Sequence, residues 1–226
     1  DKLVTGVQTC ALPILSLLAV RSKADVEITH QELSEAFAEY FKAETITVGE
    51  LLIYKPKESY DSMVATASDM LKAAMNEWHQ EQCVVSVAEG FSIMVPGIDK
   101  PVVGEFDLLV IENKIPCIVD WKTASQKWPL GKADKDLQAT LYSYAYKQTR
   151  EINPLVRFDV ITKSKNPSVE SHYTTRSDDA LSRLEFTFKK VDEAVAKGVF
   201  LPSETSFSCG DCPYADRCKT YHRKGA

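Results

Sequence analysis

Three charged residues fall where two strands and a short turn would bring them together. Asp107 sits in "GEFDLLV", and Asp120 and Lys122 sit in "IVDWKTA", on either side of a turn at Glu112-Asn113-Lys114. In an antiparallel hairpin, residues equidistant from the turn face each other. The turn centre lies near Asn113, so Asp107 and Asp120 are expected to be cross-strand neighbours. Residues i and i+2 of a strand share a face, so Lys122 points with Asp120. Two carboxylates at close range repel each other unless a cation sits between them. Such hard oxygen ligands suit Mg²⁺ or Mn²⁺, completed by water and a substrate phosphate. A lysine ammonium beside them can hold a phosphate oxygen and orient an attacking water. The chemistry expected of this trio is metal-dependent phosphodiester hydrolysis.

An isolated D-x-K is common, and three neighbours make this one stand out. The strand that carries it, "IPCIVDW", is otherwise apolar. Asp107 occupies the matching hairpin position. Gln138 and Tyr142 follow at i, i+4, on one face of the next helix. A second constellation closes the chain: Cys209, Cys212 and Cys218, spaced C-x2-C-x5-C. A thiolate site normally wants four ligands. His222, three residues beyond the last cysteine, would complete a zinc site of the Cys3His type.

The elements that must position these groups are readable from periodicity. "THQELSEAFAEYFKA" opens with a capping box, Thr29 and Glu32, ahead of a helix. A second amphipathic helix is expected over 60–82, with Met63, Ala67, Met70, Leu71, Ala74 and Trp78 on one face. The period then shifts to two: "CVVSVAEGFSIMV", "PVVGEFDLLVIE" and "IPCIVDWKTA" predict a three-stranded antiparallel meander. A helix over 134–150, a strand over 155–165, a short strand over 168–176 and a helix over 178–198 follow. The fold class expected is α/β (α+β), a mixed sheet flanked by helices.

"GEFDLLV…IVDWKTA…LQATLYSYAY…CGDCPYADRC" resembles the RecB-type nucleases of the PD-(D/E)xK superfamily. Within it, the likeness is to the iron–sulfur group that includes phage exonucleases and CRISPR-associated nucleases. The resemblance spans about residues 60–220. It implies a restriction-endonuclease-like core and a G-x-x-D at Gly104 and Asp107. It implies Asp107, Asp120 and Lys122 as catalytic residues, Asp107 and Asp120 as Mg²⁺ or Mn²⁺ ligands, and Gln138 and Tyr142 as substrate-binding. It also implies Cys209, Cys212 and Cys218 as ligands of a structural 4Fe–4S cluster, with zinc and His222 the alternative. The activity implied is that of a metal-dependent deoxyribonuclease, an exonuclease on DNA ends or single strands, in repair, recombination or phage DNA processing. A non-catalytic DNA-binding module or a zinc-stabilised interaction module on the same fold is the competing reading. Two family features have no counterpart here. The expected G-x-x-x-H on an N-terminal helix is missing; His30 lies in a capping position, His79 on the second helix as an exposed residue, and Glu89 on the first strand of the meander. An upstream fourth cluster cysteine is also missing, since Cys83 and Cys117 fall in or beside strands.

"VTGVQTCALPI", residues 4–14, resembles the in-frame translation of a sequencing adapter, which would take Cys10 out of the ligand search and make this an N-terminally truncated nuclease. The organisation expected is residues 1–14 non-native, 15–82 helical, 83–200 the nuclease core and 201–226 the cysteine-rich tail. The net charge of −5 does not mark a nucleic-acid binder, but a local basic groove can sit on an acidic chain. Lys127, Lys132, Lys135, Lys147, Lys163 and Lys165 are candidates for phosphate contacts, and Trp128 for base stacking. No apolar run is long enough for a membrane span, and the cysteine distribution suits a reducing cytoplasm.

Overall fold

The computed structural model describes residues 3–4, 7–49, 52–54, 57–79, 81–203, 209 and 212–223, with side chains from residue 15 onward except at 48, 52 and 53. In chain order the elements are β1 (Leu3–Val4), α1 (Val7–Lys23), α2 (His30–Val48), β2 (Leu52–Ile53), α3 (Tyr60–Asn76), β3 (Cys83–Ile93) and β4 (Val102–Glu112). There follow β5 (Ile115–Ala124), α4 (Lys132–Lys135), α5 (Leu137–Arg150), β6 (Leu155–Thr162), β7 (Val169–Thr174), α6 (Asp178–Ala196) and α7 (Ala215–Arg223). No side chain of the adapter-like residues 4–14 is described, and the backbone of β1 and α1 does not bear on that reading.

The expected meander is present. β3 pairs antiparallel with β4, and β4 with β5. β5 then pairs parallel with β6, and β6 antiparallel with β7, in the order β3-β4-β5-β6-β7. The parallel step needs a crossover, and α5 makes it. β5 is therefore the central strand, and its apolar run reflects burial on both faces. Cys117, Val119 and Trp121 pack with Leu15, Phe37, Met70 and Leu71 of α1, α2 and α3. Ile118 packs with Phe158, Val160, Ala139 and Tyr142 on the side of α5 and α6. By alternation, Asp120 and Lys122 share the α5 face.

Helix ends follow side-chain chemistry. Thr29 and Glu32 form the expected capping box of α2. α3 stops at Asn76 and not at residue 82, because Trp78 is drawn into the core and His79 into contact with the sheet. The expected helix over 134–150 breaks at Asp136, which is extended (φ −74°, ψ 125°) and caps α5 by accepting the Gln138 N–H at 2.8 Å. An aspartate satisfies an orphan donor better at a helix start than in its interior.

Candidate active site

The β4–β5 ladder runs from Glu112↔Ile115 to Leu108↔Val119, so its register sets Asp107 against Asp120, as the hairpin arithmetic requires. There the ladder ends. In place of a backbone carbonyl, the Asp107 carboxylate Oδ2 accepts the Trp121 N–H at 3.1 Å. The strands thus part at the site, and a side chain keeps the freed donor satisfied. The neighbouring strand is irregular at the same level: Ala88 of β3, which the register places opposite Asp107, has φ +50°. A non-glycine residue in that region marks local strain.

Asp120 is 1% exposed. Its Oδ1 accepts the Tyr142 hydroxyl at 3.0 Å, and Tyr142 in turn accepts from Gln138 Nε2 at 2.7 Å. The i, i+4 pair on α5 is a relay onto the carboxylate. Lys122 Nζ lies 2.5 Å from Asp120 Oδ2, yet the contact lacks hydrogen-bond alignment, and among the described residues that buried oxygen has no other donor. Burial, then the charge of Asp120, push the Asp107 carboxyl up to about 6, against the pull of the Trp121 N–H and Lys122. Burial also raises Asp120, opposed by Lys122 and the Tyr142 hydroxyl. The Tyr142 hydroxyl is raised by burial and by both carboxylates, so it stays a donor. Two adjacent carboxylates held in this way, one with a buried oxygen lacking an aligned donor, fit a divalent cation. Mg²⁺ commonly takes one or two carboxylates and fills its shell with water and phosphate.

An aromatic layer holds the relay in place. Tyr142 packs edge-on against Phe106 (centroids 5.4 Å) and Phe91 (6.3 Å). Phe91 lies over Gly104, its cross-strand partner, where an added Cβ would fall 2.4 Å from the ring. The glycine of the G-x-x-D therefore makes room for a ring that supports Phe106 and Tyr142. Spacing alone does not reveal this role, although a strand glycine facing an aromatic residue is its signature.

The remaining candidates have other partners or positions. His79 lies beyond α3, half-buried, 3.2 Å from Ser171 Oγ and 3.6 Å from Glu112. His30 binds the Ser68 carbonyl and joins α2 to α3. Glu89 is spent on Arg150 and Ser86. Trp128 is already packed against Phe158, His172 and the Lys132 ammonium. Lys127, Lys147 and Lys163 are paired with Glu170, Asp178 and Glu58. Cys117 is buried in the core, as expected. In the tail, among the described residues, no three His, Cys, Asp or Glu side chains group to hold a metal ion. Cys209 Sγ donates to the Ser203 carbonyl, and His222 sits against the Phe200 and Cys218 carbonyls. Cys218 Sγ lies 3.6 Å from His222 Nδ1, and the residues around the cysteines at 208, 210 and 211 lie outside the described set.

The profile of the PD-(D/E)XK nuclease superfamily matches residues 16–219, and the chain belongs to that superfamily. Its members hydrolyse phosphodiester bonds, typically with divalent metals. Among solved structures, a candidate exonuclease from Eubacterium rectale is similar at 14% identity and a TM-score of 0.52, over 89% of this chain and 74% of that one. At that identity the likeness shows the fold. SSO0001 aligns at 11% identity and a TM-score of 0.43, over 90% of this chain and 94% of that one. No curated protein sequence matches the chain.

Proposed function

We propose that this chain is a RecB-type deoxyribonuclease, an exonuclease acting on DNA ends or single strands, with Asp107 and Asp120 holding Mg²⁺ or Mn²⁺. The observation that carries this reading is the buried Asp120 Oδ2, which lacks an aligned donor beside a second carboxylate and a lysine. A cation bound there supplies positive charge against the phosphate and makes water more acidic. Lys122 orients the attacking water and holds a phosphate oxygen as charge builds on it. Tyr142 fixes Asp120 through its hydroxyl, and Gln138 fixes Tyr142. Gln138 is the half-buried member of the pair and the one able to touch substrate. A reducing, cytoplasmic setting belongs to the same reading, supported by the exposed thiols of Cys83, Cys209 and Cys218.

The test is cleavage of end-labelled linear DNA against closed circular DNA, with Mg²⁺, with Mn²⁺ and with chelator. Metal-dependent loss of the linear substrate is expected, abolished by Asp120→Asn. Tight DNA binding with no cleavage under any metal would leave the non-catalytic module. For the tail, iron, sulfide and zinc analysis of anaerobically purified protein is the deciding measurement. Iron with sulfide marks a 4Fe–4S site, and one zinc lost on His222→Ala marks Cys3His.

A further inference from the structure

Between β5 and α5 the chain makes a connection over residues 125–136 that holds α4, and Leu130, in the loop ahead of α4, is fully exposed at 102%. An exposed leucine on a floppy loop would mean little. This connection is braced throughout. The Lys132 N–H returns to the Pro129 carbonyl at 3.2 Å, and Gly131 takes φ +75° to close the turn. Arg176 Nη2 donates to the carbonyls of Ala133 and Asp136, each at 2.9 Å. The Thr174 hydroxyl donates to Asp134 at 2.8 Å. Ala133 is buried, and Trp128 packs on Phe158 at 5.2 Å between centroids.

These braces register Leu130 to the carboxylates. Phe158 is the ladder partner of Asp120. Trp128 covers Phe158, and the Lys132 ammonium sits 4.0 Å above the Trp128 ring. Strand spacing plus one ring contact puts Trp128, at the base of the loop, on the order of 10 Å from Asp120, a few base steps along a strand. Asp136, at the far end of the connection, adds its charge to those acting on Asp120. A depression of about 420 Å³ is lined by Pro129, Leu130, Gly131, Lys132, Lys135 and Asp136. Both lysines are exposed. The charges of Asp134 and Asp136 face the Arg176 guanidinium, while the two carboxylates accept from the Thr174 hydroxyl and the Gln138 N–H.

We propose that Leu130 is a wedge that stacks on the terminal base pair of a duplex and parts it, while Lys132 and Lys135 hold the phosphates of the strand led toward Asp107 and Asp120. Apolar side chains that enter base steps unstack them at a cost that phosphate contacts offset. One protruding side chain flanked by cations suits a base step; a protein interface needs a far larger apolar patch. The inference rests on the nuclease reading for the strand's destination, but not for the unstacking itself.

The experiment uses the whole chain with a blunt duplex carrying 2-aminopurine at its terminal pair, and a single strand of the same sequence. Wild type should raise the fluorescence of the duplex on binding. Leu130→Ser, at a position too exposed to affect folding, should lose that rise while duplex affinity changes less than about three-fold, because phosphate contacts dominate affinity. Leu130→Met should restore it. Cleavage of the blunt duplex should fall roughly ten-fold in Leu130→Ser, with single-strand cleavage unchanged. An equal fluorescence rise in Leu130→Ser overturns the wedge, and so does failure of wild type to bind DNA. Self-association lost in Leu130→Ser, without any fluorescence response, assigns Leu130 to a protein contact and overturns it too. A wild type that unstacks the duplex but cleaves neither substrate sinks the nuclease reading and leaves the wedge standing.

Discussion

Two buried clusters lie on opposite faces of the sheet, and each sets one cation against two carboxylates. On the α5 face the members are Lys122, Asp107 and Asp120. On the other face they are Arg157, Asp159 and Glu112. Their formal charge is the same; their hydrogen bonding is not. Arg157, 1% exposed, donates to both oxygens of Asp159, to Glu112 at 2.9 Å and to Gln82 at 2.8 Å. Ser171 donates to Asp159 at 2.6 Å, and Tyr173 to Glu112 at 2.8 Å. Each carboxylate oxygen there has a donor, and the atom without a partner is a neutral one, Gln82 Nε2. Across the sheet, Asp120 Oδ2 has only an unaligned ammonium, and Asp107 is driven toward protonation. A completed cluster holds elements together; an incomplete one is paid for by the rest of the fold and suits a ligand.

The largest expected effect breaks the completed cluster. Arg157→Met leaves the buried Asp159 and the half-buried Glu112 without their cation and should cost about 3–5 kcal/mol in denaturant unfolding. Cleavage per folded molecule should hold at low temperature. If instead the midpoint barely moves, the cluster is not structural and the contrast collapses.

Next in size, Lys122→Ala should lower cleavage roughly 10²–10³-fold, as loss of a group acting on developing charge does. DNA affinity should stay within about two-fold, because attraction to phosphates is shared among many lysines. A parallel fall in binding and cleavage would make Lys122 a phosphate contact only.

Asp107→Asn sharpens the comparison with the opposite sign. A carboxyl raised from 3.8 to about 6 contributes stability that is fully present below about pH 4 and is lost as pH rises through 6. In chelator at pH 7.5, the substitution should stabilise the chain by up to about 3 kcal/mol, and by nothing near pH 4. Mg²⁺ should raise the melting temperature of wild type but not of Asp107→Asn. A pH-independent difference between the two proteins would refute the assignment of strain to this carboxylate.

Tyr142→Phe is the smallest change. It removes one donor from Asp120 Oδ1 and should cost about 1 kcal/mol, or roughly five-fold in rate. Rates equal to wild type would show that the relay from Gln138 ends idle.

The meander, its register and the convergence of Asp107 with Asp120 are legible in the sequence, because strand alternation and turn position are local signals. Two helix ends are not. α3 ends early through long-range pulls on Trp78 and His79, and α5 starts late because Asp136 takes a capping geometry. The Arg157 cluster leaves one trace in the chain, an arginine and an aspartate two apart within the apolar run "LVRFDVIT". Its acceptors, Gln82 and Glu112, lie too far along the chain for spacing to reveal them. The tail shows the converse: C-x2-C-x5-C is legible as a motif, while among the described residues no group of three metal-ligating side chains accompanies it.

The parallel pairing of β5 with β6 carries a kinetic consequence. β3, β4 and β5 join through short connections, whereas Cys117 meets Leu155 only after α5 has crossed over. Loop closure makes the second step slower. Asp107 and Asp120 therefore come face to face in a solvated hairpin, where their repulsion is screened. The penalty for dehydrating them falls on the docking of α5, the same event that delivers the Tyr142 hydroxyl. A divalent ion present during refolding should accelerate that late step and leave the hairpin phase unchanged.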